Sequence, residues 1–283
     1  MLECVVNVAE GRDAAVLSRL ATACGEALLD LHADADHHRS VFTLAGPGPR
    51  DAGWAATTLT RAAAAELDLS DHDGVHPRLG IVDVVPFVAL GEPEGVAVDA
   101  AGAFAAWIVA ELGVPVFLYG AADPEGRDLP SLRREAFHGR RPDLGPDEPH
   151  PRWGATAVGA RPPLVAVNCW LDRDDLALAR SIAGTVRGRD GGLPGVRALG
   201  LRLASAGRVQ VSMNVTDLAA AGVEAACEAV RAEAEGAEAT VERLEWVGLV
   251  PAEEVERSSR AFRAWSGLDR SRSIEDRLAV RSG

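Results

Sequence analysis

Residues 27–46, ALLDLHADADHHRSVFTLAG, hold two short apolar runs separated by a polar, histidine-rich turn. Ala27–His32 and Arg39–Leu44 read as strands, and ADADHH at 33–38 has the composition of a chain reversal. No segment of helical period lies between them, so two strands follow each other directly. Upstream stand the buried-strand run Leu2–Val8 and the helical stretch Asp13–Glu26, with Val16, Leu17, Leu20 and Cys24 on one face. Downstream, Ala52–Leu67 is an alanine-rich helix, and Ile81–Leu90 is an apolar strand. The order strand-helix-strand-strand-helix-strand predicts a ferredoxin-like split βαβ unit rather than uniform βα alternation. A helix, Gly95–Leu112, and a strand, Val114–Tyr119, are appended to it.

The second half repeats the order. Pro163–Leu171 reads as a strand and Arg173–Val186 as a helix. Val196–Ala204 and Val209–Val215 form a hairpin turning at SAGR, and Ala219–Glu235 is an amphipathic helix before the strand Thr240–Val250. No sequence repeat accompanies the architectural one. From Ala252 on, acid and arginine alternate in a stretch read as helix. Residues 120–152 hold six of the 16 prolines and little periodicity, which marks either a functional segment or a surface excursion. The expected fold class is therefore α/β (α+β), two ferredoxin-like βαββαβ subdomains with a ligand cleft or channel between them.

Composition narrows the chemistry. All 29 basic residues are arginine, against 42 acidic ones, for a net charge of −13 in 283 residues. Without lysine, Schiff-base, pyridoxal-phosphate and P-loop lysine chemistry are excluded. A pI near 5.0 and the absence of a dense basic run argue against a nucleic-acid partner. No apolar run reads as long enough to span a membrane, and MLECVVNVAEGRD lacks the basic start of a signal peptide, so the expectation is a cytoplasmic protein without a membrane partner. Cys4, Cys24, Cys169 and Cys227 are spaced as reduced core residues.

Five of the seven histidines, His32, His37, His38, His72 and His76, fall within 45 residues. His37 and His38 occupy the strand-to-strand turn, and His72 and His76 a loop before a strand, where active-site residues are commonly presented. His72 and His76 have the i,i+4 spacing of a zinc site, but Gly74 and Pro77 break the helix that spacing requires, so no metal is expected. In HPRLG at 76–80, His76 and Arg78 could handle a proton and an anion together, with Asp83 just beyond. Asn7, Glu10, Gly11 and Arg12 form the turn from first strand to first helix. They offer either ligand-facing polar groups or a capped helix start. Trp153 reads as an exposed face for a flat heterocycle, or as a packing anchor.

These motifs, taken in order, resemble a known family. ECVVNVAEGRD at 3–13, DADHHRSVFTLAG at 34–46, HDGVHPRLGIVDVVPF at 72–87, ELGVPVFLYG at 111–120 and RWGATAVGAR at 152–161 look like the formiminotransferase domain. VRALG at 196–200, VQVSMNVTD at 209–217 and VGLVP at 247–251 look like its C-terminal subdomain. The resemblance implies transfer of the formimidoyl group of N-formimidoyl-L-glutamate to N5 of tetrahydrofolate, a co-substrate, in histidine catabolism and one-carbon metabolism. It implies a homodimer, and subdomains at 1–172 and 173–283.

By the same resemblance His76 is the catalytic general acid/base, and Gly145 to Gly154, including Pro146, Pro151, Arg152 and Trp153, is the folate segment. Residue chemistry adds Arg78 beside His76, Asn7 and Glu10 in the first turn, and Arg39 and Arg161 as grips for glutamate or folate carboxylates. The chain departs from the family pattern at Val6, Val8, His32, His38 and Val75, where proline, phenylalanine, an acidic residue, asparagine and glutamate are usual. Alternatives consistent with those departures are formyl exchange between glutamate and 5-formyltetrahydrofolate, another amidine donor, or folate binding without catalysis.

Overall fold

Strand β1 (Leu2–Val8) organises the first sheet through its alternation. Leu2, Cys4, Val6 and Val8 are fully buried on one face, while Glu3, Val5 and Asn7 occupy the other. Helix α1 (Ala14–Cys24) starts where Asp13 accepts from the Ala15 and Val16 N–H groups, and it packs Val16, Leu17, Leu20 and Cys24 against the apolar face. Strands β2 (Leu28–Asp34) and β3 (Arg39–Gly46) pair antiparallel, as the opening stretch predicts. Helix α2 (Pro49–Glu66), strand β4 (Val82–Ala89), helix α3 (Glu94–Leu112) and strand β5 (Val116–Gly120) follow. The computed structural model describes residues 1–46, 49–73, 78–203 and 205–282.

Two elements of this half escaped the sequence reading. Helix α4 (Leu129–Glu135) lies inside the proline-rich segment. Strand β6 (Thr156–Ala160) inserts between β4 and β5, giving the sheet order β2-β3-β1-β4-β6-β5. All five residues of β6, TAVGA, are buried, so there is no polar alternation for a sequence reading to detect. β2-β3-β1-β4 is antiparallel in the split βαβ order, and β6 and β5 extend it in parallel. Helix α3, at 19 residues and a mean hydropathy of 1.5, has the length and composition of a membrane span, contrary to the sequence expectation. Its Ala97, Ala101, Phe104, Ala105 and Ile108 are buried in the sheet's core.

The second unit carries β7 (Val165–Leu171), α5 (Leu176–Val186), β8 (Val196–Leu203), β9 (Arg208–Val215), α6 (Val223–Gly236) and β10 (Val241–Val247). Its sheet order is β10-β7-β9-β8, antiparallel throughout, so the βαββαβ order recurs. Helices α7 (Ala252–Arg257), α8 (Arg260–Ser266) and α9 (Ile274–Ser282) make up the tail. The compact units are Met1–Pro162 and Pro163–Gly283, not 1–172 and 173–283. The reason is β7: its hydrogen bonds run to β9 and β10, so it belongs to the second sheet. All four cysteines are free and buried.

The proline-rich excursion is ordered by charge. Asp123, 3% exposed, accepts both Nε and Nη2 of Arg127, at 2.5 and 2.8 Å, and the Glu125 N–H at 3.1 Å. Arg140 reaches Asp143 at 2.6 Å and the Leu118 carbonyl at 2.9 Å. The Arg127 hydrogen bonds hold the Asp123 carboxyl down to about 2, although burial opposes them. A depressed folded pKa gives stability that is present above the ordinary aspartate value and is lost as pH falls towards about 2. Asp123→Asn is therefore expected to cost about 2 kcal/mol at pH 7 and almost nothing at pH 2. Urea unfolding at the two pH values measures the difference.

Candidate active site

The C-terminal end of β1 and the N-terminal ends of β3 and β4 meet at one end of the first sheet's central strands. A shallow depression open to solvent lies there, lined by Ala9, His37, His38, Arg39, Arg78 and Asp83. The strand register puts Asn7 and Arg39 on the face opposite α1–α3, since Asn7 faces Val41, two residues from Arg39. Arg39 Nη2 donates to Asn7 Oδ1. Burial pulls the Arg39 guanidinium down to about 10; Asp83 opposes this and Arg133 and Arg78 add to it. It stays protonated at neutral pH.

Asp83, 2% exposed, is the anionic counterweight. Arg133 of α4 grips both carboxylate oxygens, at 3.1 and 2.5 Å, and the Leu79 N–H donates to Oδ1 at 2.8 Å. Burial pushes the Asp83 carboxyl up, but Arg133 and Arg39 prevail and hold it below the ordinary carboxylate range. Arg39, Arg78 and Arg133 thus all act on the Asp83 carboxylate, and Asp34 is a second carboxylate acting on Arg39. Arg133 is absent from the sequence reading because α4 is.

The histidines divide by partner. His37 Nδ1 lies 2.6 Å from Asp34 Oδ2, and the His37 N–H donates to Asp34 Oδ1 at 2.9 Å. Burial disfavours the ionised Asp34, yet its bonds with His37 hold its carboxyl below the ordinary value. His38 sits in the left-handed region at φ 49°. Its Nδ1 accepts the Gly11 N–H at 3.1 Å, which places the ring proton on Nε2. Burial, with Arg12 and Arg78, lowers its pKa against Glu10 and Asp73. Glu10 Oε1 is taken by the Arg12 and Asp13 N–H groups at 2.6 and 2.9 Å, so the first turn is largely a capped helix start.

The ring of His72 stacks on that of His38 at 4.1 Å, with its Nε2 2.9 Å from the His38 carbonyl. Arg12 Nη1 donates to Asp73 at 2.5 Å. Asparagine at position 38 tolerates the left-handed backbone and offers an acceptor to Gly11, so His38→Asn removes little beyond the ring stack. It is expected to cost about 1 kcal/mol in urea unfolding; a loss above about 3 kcal/mol would contradict that reading of the contact. His76, Val75, Gly74 and Pro77 lie outside the described residues.

The tryptophan motif meets the chain on both sides of that loop. The Leu69 N–H donates to the Arg152 carbonyl at 2.7 Å, the Ala155 N–H to Leu79 at 2.9 Å and the Ile81 N–H to Trp153 at 3.1 Å. Arg152 Nε reaches Asp68 at 2.9 Å. Gly154, at φ 69°, leaves no room for a side chain: a Cβ would stand 2.2 Å from the Leu79 carbonyl. The structure therefore joins Leu79–Ile81 to Trp153–Ala155, which sequence order keeps far apart. Trp153 is half-buried against the core, with His150 stacked on it at 4.2 Å and 8°. Of the two roles left open for Trp153, a stacking face or a packing anchor, these contacts are those of a packing anchor.

Other expected residues stand elsewhere. Gly145 approaches Val109 of α3 and Pro115 at the start of β5, while Pro146 and Pro151 are exposed. Arg161 takes the Phe87 carbonyl with its N–H at 3.1 Å and its own neighbour Pro162 with Nη1 at 2.9 Å. It follows the far end of β6, roughly 16 Å along a five-residue strand from the end that meets Val82. Arg161 is not gathered into this pocket.

The chain matches two family models in series: "Formiminotransferase domain, N-terminal subdomain" over residues 1–161, and "Formiminotransferase domain" over residues 167–273. It is 37% identical over 268 aligned residues to a glutamate formimidoyltransferase of Streptococcus pyogenes serotype M1, covering 89% of each chain. A glutamate formimidoyltransferase of Thermoplasma acidophilum is 32% identical over 298 residues, covering 98% of this chain and 97% of that one. The formimidoyltransferase-cyclodeaminase of Sus scrofa is 36% identical over 275 residues, covering 89% of this chain and 50% of its own length.

Proposed function

Because this chain belongs to the formiminotransferase domain family, we propose that it is a glutamate formimidoyltransferase, moving the formimidoyl group of N-formimidoyl-L-glutamate to N5 of tetrahydrofolate. One observation supports the reading above the others: Arg39 and Arg78 line the pocket at the end of β1, and both act, with Arg133, on the buried carboxylate of Asp83. A guanidinium fork suits carboxylates, and the donor is a dicarboxylate. In a chain without lysine, arginine alone can supply that grip.

The reaction is an amidine exchange. N5 of the folate attacks the formimidoyl carbon, a tetrahedral intermediate forms, and the glutamate nitrogen departs as an amine. A proton leaves N5 and another must reach the departing nitrogen. His76, which matches the family's catalytic histidine, is assigned the general acid/base role. Its flanks support that assignment: the chain on either side of residues 74–77 is hydrogen-bonded to Arg152 and Trp153 of the proposed folate segment and to Ala155 just after it. We further propose, as the family resemblance implies, that it acts in histidine catabolism, in the cytoplasm and as a homodimer.

The test is an assay of formimidoylglutamate consumption with and without tetrahydrofolate. Transfer that requires the folate is the expected result. Tight folate binding without turnover would favour a binding protein instead. Turnover with 5-formyltetrahydrofolate and glutamate, but not with formimidoylglutamate, would favour formyl exchange.

A further inference from the structure

His37 lines the same pocket as Arg39 and Arg78, and its ring is aimed by a carboxylate. Asp34 holds His37 Nδ1 at 2.6 Å and also accepts the His37 backbone N–H. Two contacts from one carboxylate fix both the position and the orientation of the imidazole. Asp34 is largely buried and its carboxyl is held below the ordinary range, so it is ionised at neutral pH and supplies the counter-charge for an imidazolium. With Nδ1 held by Asp34, Nε2 is the ring nitrogen to which proton delivery is assigned.

The donor's own chemistry decides what such a group would touch. In N-formimidoyl-L-glutamate the nitrogen that leaves is bonded to the α-carbon, one bond from the α-carboxylate. A carboxylate gripped by Arg39 or Arg78 brings that nitrogen into the pocket His37 lines. This rests on the reading of the reaction given above. We propose that His37, oriented by Asp34, is the acid that protonates the departing glutamate nitrogen, leaving His76 to take the proton from N5.

The step balances without any further reactant. The bond from N5 to the formimidoyl carbon has formed and its proton has passed to His76. As the bond from that carbon to the glutamate nitrogen breaks, the electron pair goes to nitrogen and His37 Nε2 delivers the proton. Glutamate leaves as its amine, His37 is left neutral with Nδ1–H donating to Asp34, and both histidines return to their starting states by exchange with water. Splitting the two proton transfers removes the need for one imidazole to reach both nitrogens.

Three variants and one spectroscopic measurement test this. His37→Ala is expected to lower kcat on the order of 10²- to 10⁴-fold with the donor KM little changed, and millimolar imidazole should restore at least about tenfold of that rate. His37→Gln keeps a donor for Asp34 and serves as the folding control; it should be as slow as His37→Ala while unfolding at the wild-type urea concentration. Asp34→Asn should be slower than wild type by about tenfold or more, without imidazole rescue. A kcat for His37→Gln within threefold of wild type would overturn the proposal, as would loss in His37→Ala that imidazole does not relieve.

In ¹⁵N NMR, L-glutamate should shift the His37 imidazole resonances of the wild-type chain, assigned by their absence in His37→Gln. No shift overturns the placement of His37 at the leaving group. A shift in a chain that does not transfer the formimidoyl group would support that placement while removing the proposed reaction.

Discussion

His76→Ala is expected to reduce kcat for formimidoyl transfer on the order of 10²- to 10⁴-fold, with the KM values for donor and folate changed far less. The physical ground is the proton at N5. An attacking secondary amine that keeps its proton forms a cationic tetrahedral intermediate, which collapses back more easily than forward. An imidazole with a pKa near neutrality removes that proton at the moment it becomes acidic. The proposed carboxylate grip is that of Arg39 and Arg78, which line the pocket, and it does not pass through His76, so ground-state binding should survive. Steady-state rates for wild type and variant, with circular dichroism to confirm equal folding, measure the effect. A variant as fast as wild type would remove His76 from the chemistry.

Asp83→Asn is expected to destabilise the fold by about 3–5 kcal/mol. The substitution keeps an acceptor for the Leu79 N–H but removes the charge facing Arg133 and Arg39. Arg39 is half-buried, and without Asp83 it would be held charged among other guanidinium groups with its main compensation gone. Breaking one partner of a buried network leaves that cost unpaid, whereas a surface pair would contribute little. Asp83 also carries a pH signature. Its folded pKa is depressed, so its contribution is present above the ordinary aspartate value and fades as pH falls below it. Urea unfolding of Asp83→Asn and Arg133→Met, singly and together, should show strong coupling; additive losses would mean that the two groups act independently.

The histidine cluster was legible as a cluster, but its division of labour was not. His37 and His38 are neighbours in sequence, yet one ring turns to Asp34 and the other to Gly11 and His72. Backbone geometry makes the difference, since His38 alone adopts the left-handed conformation. Arg78 and Arg39 were found by their residue type at a strand end. Arg133 was not, because its helix lies in a proline-rich stretch without a clear apolar period. Arg161 was expected among the ligands on chemistry alone, and the parallel strand β6 carries it away.

Local pattern was enough to determine the order βαββαβ twice over, because each strand and helix hides one face and exposes another, and that periodicity is written residue by residue. It also determined that every permanently charged basic side chain would be an arginine. Position across the sheet is a different matter. β6 shows no alternation because both its faces are covered, and β7 joins the second sheet because its hydrogen-bond partners lie far along the chain. Only the tertiary structure brings Arg39, Arg78 and Arg133 around Asp83, since hydrogen bonds and ion pairs between distant segments depend on which strands become neighbours, and no window of sequence contains that choice.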